Sequence, residues 1–343
     1  MKNWNNFKAL FSFLALSLSF SCTSNNRTIE INWNEEPLFA GRDIGCIEAL
    51  GPDQPGCICS IGDEVYLSSG GTWTKMGKGP AKDPFRCFYY SPEQKSYFAG
   101  SEKTVYRYDE KSGKWSGLPE KGLPSRGVRV HELRESEDGT LFALVTTDGN
   151  SILTLSPGSR EWKRIKSAGL PDLAFAVDMA FCEGKLYVAV GRPNFLYADS
   201  LRPVWGVYVS EDKGEHFQLI SDGAVPVQQL VWDHDKRVLY ANSLKGKFSL
   251  SIAEGNNLWK PLPKHVGSVL HARDGFLIGF NDTYTDLIVS RDGGKSWAKS
   301  SISQFKNIRL KYMAVDSDKT IYMTSDTGCY KGLLQESGVR HDL

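Results

Sequence analysis

Side chains able to hold an anion recur at wide intervals along the 343-residue chain: Arg86, His131 and Lys311, with Asp178 and Gln228 between them. Each stands near the start of a short apolar run, and Glu48, Arg129, His271 and Arg309 occupy comparable places. A guanidinium can pair bidentately with a carboxylate or sulfate, while imidazole and ammonium add charge that strengthens as water is excluded. That chemistry suits an anionic small ligand or an acidic sugar. Catalytic spacing is missing: His131, His216, His234, His265 and His271 have no G-x-S-x-G nucleophile motif beside them, so no catalytic residue is assigned. Cys57 and Cys59 are one residue apart with no nearby His, unlike a zinc knuckle, and no metal is predicted. No glycine cluster opens a helix to cradle phosphate; Ser69, Gly70 and Gly71 serve a turn, and no cofactor is predicted.

The elements that position these residues repeat. An apolar strand, a second strand often carrying an aromatic, a third strand and a polar turn are followed by Trp or Phe, as in YFAG…VYRYDEKSGKW and VLYAN…FSLSIAEGNNLW. The closing aromatics are Trp33, Trp73, Trp115, Trp162, Phe217, Trp259 and Trp297, spaced 38 to 55 residues apart. Such a period in an all-β pattern points to four-stranded propeller blades, because each sheet can bury its faces only against its neighbours. After Trp297 the chain holds only three more strands, whereas residues 28–33 (TIEINW) read as a strand preceding the first full unit. Letting that segment complete the last blade closes the ring and removes exposed edges. The prediction is an all-β, seven-bladed β-propeller over residues 28–343, closed by its N-terminal strand, with six or eight blades as alternatives. No apolar helical face extends beyond the first twenty residues. Early residues of the innermost strands then face a central channel, which brings Arg86, His131, Asp178, Gln228 and Lys311 towards one mouth. The competing reading is a channel wall whose charges neutralise one another.

Two turns carry a shared motif. Ser210, Asp212, Gly214 and Phe217, and likewise Ser290, Asp292, Gly294 and Trp297, match S-x-D-x-G-x-x-[WF]. Asp and Ser side chains can satisfy backbone N–H groups inside the turn, Gly accepts positive φ, and the aromatic packs back onto the blade. On these two boxes and the repeat around them, the chain resembles the Asp-box (BNR-repeat) β-propeller superfamily, which includes sialidases, sortilin-type receptors and photosystem assembly factors. The resemblance implies a propeller, with the box residues in structural roles. It does not imply sialidase chemistry, since Pro84-Phe85-Arg86-Cys87 and Leu201-Arg202-Pro203 do not match that family's Phe-Arg-Ile-Pro motif and no arginine clamp can be assembled. Expected function is therefore a non-catalytic binding scaffold for a protein or glycan, the alternative being an extracellular, sialidase-like glycoside hydrolase. The insertion at residues 191–204, with Phe195, Leu196 and Tyr197, offers a contact surface or packs onto its blade.

Lys2 and Lys8 precede an apolar run (ALFSFLALSLSF) too short to span a bilayer, followed by Ser21 and Cys22. Residues 1–21 read as a signal peptide, and Cys22 with a polar tether through residue 27 resembles a bacterial lipoprotein start. Expected location is the bacterial cell envelope, lipid-anchored outside the cytoplasm, with secretion as the alternative. Six further cysteines, Cys46, Cys57, Cys59, Cys87, Cys182 and Cys329, permit up to three disulfides in that compartment, with buried free thiols as the alternative. With 41 Lys+Arg against 40 Asp+Glu, the net charge of +1 supplies no field for nucleic acid. A monomer is expected.

Overall fold

The computed structural model describes residues 27–51, 54–124, 128–146, 150–170, 176–191, 205–221 and 226–335. The signal segment, Cys22, the tether before Arg27 and all of the insertion except Gly191 lie outside them. Seven antiparallel sheets follow one another along the chain, and each takes its four strands in sequence order from the inside outward, save the last. Inner strands are Cys46–Ala49, Cys87–Ser91, Arg129–Glu135, Ala176–Cys182, Val227–Asp233, His271–Arg273 and Leu310–Val315, of blades 1 to 7 in turn. Second strands such as Cys57–Ile61, Ser96–Gly100 and Ile321–Ser325 are buried at every residue, because neighbouring blades cover both their faces. Described helix is confined to single 3-10 turns, and none is long and apolar enough to cross a membrane.

The core is a ring of seven apolar clusters, each shared by two adjacent blades. Phe98 and Val105 of blade 2 meet Val130 and Leu141 of blade 3, for example, and Ile278 and Val289 of blade 6 meet Val315 and Ile321 of blade 7. Seven sheets and seven shared interfaces make the seven-bladed propeller a closed ring.

Closure is made by Ile31–Glu35, which forms the fourth strand of blade 7 against Cys329–Leu334, pairing Ile31 with Leu334 and Trp33 with Gly332. Gly332 is required there: a Cβ on it would stand 2.7 Å from the Trp33 ring. Thr28 departs from the sequence expectation. With Arg27 it pairs in parallel with Ala298 and Lys299 on the outer edge of blade 6, the strand breaks at Ile29 and Glu30, and the chain then crosses to blade 7. The N-terminal segment thus straps two blades.

The cysteines take the free-thiol alternative, not disulfides. All six are buried and unbridged. Cys46, Cys87 and Cys182 sit in three different blade interfaces, whereas Cys57, Cys59 and Cys329 share the interface between blades 7 and 1. Burial pushes the Cys46 thiol up to about 12, and the others rise for the same reason.

Candidate ligand site at the channel mouth

The inner strands all start at one face, so their first residues, the loops leading into them and the turns joining second to third strands gather around one mouth of the channel. A cavity of about 650 Å³ opens there between blades 5, 6, 7 and 1. Gln228 and Lys311 line it as the sequence places them, together with Glu48. Lys311 is held on one side, its Nζ donating to Asp43 Oδ1 at 2.5 Å and to the Ile44 carbonyl at 2.9 Å.

Sequence reading missed Lys247, Asn242 and Tyr284 in this wall. Lys247 begins the third strand of blade 5, and its Nζ donates to the Ser243 carbonyl at 2.8 Å. It forms no ion pair with a carboxylate among the described residues, and burial lowers its pKa from the ordinary lysine value. Asn242 reaches from blade 5 to blade 6, donating to the Val269 carbonyl at 2.6 Å and accepting the Val269 N–H at 2.9 Å. Its Nδ2 also donates to Gln229 Oε1 at 2.9 Å, fixing the amide that faces the cavity. Tyr284 and Tyr312 stand exposed at the rim. The wall therefore offers a half-buried ammonium, oriented amides and aromatic faces.

Arg86 and His131 lie in another sector of the mouth, on blades 2 and 3. Arg86 and Arg129 converge on Glu102, whose carboxyl they hold below its ordinary pKa. His131 shares a 2.6 Å hydrogen bond with Thr146, and burial, then the charges of Arg129 and Arg86, lower its pKa. His271 is pushed down to about 4 by burial and by Arg273, so it is neutral at physiological pH.

Asp178 belongs to a charged group deeper in the channel. Its Oδ2 accepts the Leu230 N–H of blade 5 at 2.7 Å, while Glu132 Oε2 accepts the Met179 N–H of blade 4 at 2.9 Å, so two carboxylates step from blade to blade around the axis. Arg134 forms an ion pair with Glu132, and Glu132, Asp178 and Glu48 keep its guanidinium charged against the cost of burial. Burial raises the Glu132 pKa from its ordinary value, Arg134 opposes the rise and Asp178 adds to it. Glu48 opens onto the channel but is otherwise enclosed by protein, which pushes its pKa up to about 7; Arg134 opposes the rise and Asp178 adds to it. No group of three or more His, Cys, Asp or Glu able to hold a metal occurs among the described residues.

Both S-x-D-x-G turns lie between third and fourth strands, away from the axis. Ser210 Oγ and Ser290 Oγ each donate to the box Asp at 2.8 Å and each accept the Gly N–H, of Gly214 or Gly294, at 2.8 Å. Asp212 and Asp292 in turn accept the N–H four residues on at 2.9 Å. Phe217 and Trp297 are buried beneath these turns.

Seven four-stranded blades around a charged channel define the protein as a β-propeller. Solved structures similar to it include YCF48 bound to D1 peptide, 10% identical with a TM-score of 0.60, covering 90% of this chain and 96% of that one. The extracellular domain of the putative one component system BT4673 from B. thetaiotaomicron is 13% identical with a TM-score of 0.59, covering 90% of this chain and 40% of that one. The GH74 xyloglucanase from Xanthomonas campestris is 14% identical with a TM-score of 0.59, covering 88% of this chain and 53% of that one. This chain thus spans about half or less of the latter two, and at such identities the likeness is one of fold. No family model and no curated protein matches the chain.

Proposed function

We propose that the protein is a cell-envelope binding module, tethered through lipid on Cys22, that holds an acidic group of a glycan or polypeptide at the channel mouth where the inner strands start. The observation that carries this reading is Lys247, half-buried in the wall of a 650 Å³ cavity with no carboxylate beside it. A buried cation without a counter-ion is costly until an anion arrives. Gln228 and Gln229 supply hydrogen bonds to hydroxyl or amide groups, and the exposed Tyr rings supply stacking faces. Lys311 adds charge, Arg86 extends the basic surface around the rim, and His131 offers a neutral imidazole beside it. The similar structures, one a peptide complex and one an extracellular domain, are compatible with a binding role outside the cytoplasm.

Binding without turnover is favoured over hydrolysis because Glu48 is the only carboxylate among the described residues lining this cavity, and glycoside cleavage needs two flanking the scissile bond. A glycan and peptide array followed by calorimetry tests the reading. An acidic ligand should bind, and Lys247→Ala should weaken it by at least about tenfold, the scale of one charge-assisted contact. Binding indifferent to Lys247→Ala defeats the proposal; turnover of xyloglucan or a sialoside favours the hydrolase. Anchoring is read separately by fatty-acid labelling: wild type should take up label and Cys22→Ala should not.

A further inference from the structure

The opposite mouth of the channel is built differently. A cavity of about 590 Å³ opens there, lined by the ends of the inner strands and the turns joining first to second strands in blades 2 to 5. Five carboxylates face it, Glu93, Glu135, Glu137, Glu183 and Asp235, against one arginine, Arg237, and His234. Arg237 is consumed by Glu183, which it grips through two nitrogens. Asp235 has His234 at 3.9 Å, and its neighbour Lys236 is committed to Asp274 at 2.8 Å.

Glu135 is the telling residue. Only 7% exposed, it accepts hydrogen bonds from neutral donors alone: Ser91 Oγ at 2.8 and 2.7 Å and Gln94 Nε2 at 2.9 Å. No lysine or arginine pairs with it among the described residues. Arg134, its neighbour in the chain, is engaged by Glu132. A nearly buried carboxylate lacking a counter-ion at the wall of an open cavity attracts a cation from outside. Three half-buried aromatics, Tyr89, Phe181 and Trp232, complete the wall from blades 2, 4 and 5. Aromatic faces beside carboxylates favour organic cations, whose apolar stems pack while the charged head meets the ring faces and the oxygens.

We infer that this second mouth is a docking site for a basic polypeptide segment, whose lysine or arginine side chains enter the cavity and meet Glu135, Glu137 and Trp232. The occupant follows from charge complementarity and from the combination of rings with carboxylates, and it does not depend on the ligand of the first mouth.

The test uses the full chain, with hexalysine as probe and hexa-(N-acetyl-lysine) as its uncharged counterpart, by calorimetry and Trp fluorescence in 50 mM and 300 mM salt. Hexalysine should bind at low salt, weaken at least about tenfold at high salt as surface charge is screened, and the acetylated peptide should not bind. Glu137→Lys, an exposed change that leaves the core untouched, should weaken hexalysine at least about tenfold, as should Trp232→Ala, on the scale of one charge or cation–π contact. Lys247→Ala should leave it within about twofold, which separates this site from the first mouth. Absence of hexalysine binding, or binding unchanged in both Glu137→Lys and Trp232→Ala, overturns the inference.

Discussion

The two ends of the channel are built from the same seven strands and carry opposite chemistry. Where the inner strands begin, the cavity wall offers amides, Lys247 and Lys311 with Glu48 as its one described carboxylate; where they end, five carboxylates outnumber a single committed arginine. The interface between blades 5 and 6 shows the same contrast at smaller scale. On the first side, neutral Asn242 bridges the blades by imitating a strand, giving one hydrogen bond to Val269 and taking one from it. On the other side, fully buried Asp233 makes the bridge by accepting the N–H groups of Asp274 at 2.9 Å and Gly275 at 2.8 Å. A propeller therefore can set the charge of each face independently, because a blade interface needs the right donors and acceptors at each end and not a fixed charge.

Exchanging those two bridges is the strongest way to break the comparison. Asp233→Asn would aim an NH2 at an N–H, and Asn242→Asp would aim a carboxylate oxygen at the Val269 carbonyl. Each should cost about 2–4 kcal/mol, the range for leaving buried hydrogen-bonding groups mispaired, read from urea unfolding midpoints. Near-neutral behaviour of both would show that the bridges are interchangeable after all.

A smaller effect sharpens the contrast through pH. Glu48 is held near 7 in the fold, above its unfolded value of about 4.5, so the native state binds the proton more tightly. Stability from this group is thus full below about pH 4.5 and declines as pH rises to about 7. Glu48→Gln should be more stable than wild type at pH 8, by no more than about 1–2 kcal/mol since the side chain opens onto the channel, and should gain much less at pH 5. Thermal melts at the two pH values check it; a gain at pH 5 equal to that at pH 8 would assign the effect to something other than titration.

Much of the fold was legible because the aromatic at the head of each fourth strand is bulky, recurrent and at least partly buried: Trp73, Trp115 and Trp259 lie half-buried in fourth strands, and Trp162, Phe217 and Trp297 lie buried just before them. The site was legible only in part. Gln228 and Lys311 line the cavity, but the alternation used to place them fails at these very positions in the inner strands. In blades 3, 4 and 5 the ladder slips by one residue, between Val130 and Glu132, Ala176 and Asp178, and Val227 and Gln229, and blade 7 slips between Leu310 and Met313. One extra residue reverses which side chains face the axis thereafter. That is why Glu132 and Arg134 enter the channel behind His131. Lys247 arrives from the first residue of a third strand and Tyr284 from a turn between second and third strands, and their approach to the axis depends on how the ring curves, which no local pattern records. Thr28 was misplaced because a two-residue pairing with the edge of a different blade leaves no periodic trace.

The strap formed by residues 27–35 also carries the contact that brings residue 335 back to the N-terminal segment. The Gln335 N–H donates to the Glu30 carbonyl at 3.0 Å, so Gln335 lies beside the point where the strap crosses from blade 6 to blade 7. The seam is a property of chain order alone, since the interface it closes is packed like the other six. Linking residue 335 to residue 27 and reopening the chain at the exposed turn around Gly158, before the fourth strand of blade 3, would yield a circular permutant with the same blades and both mouths intact.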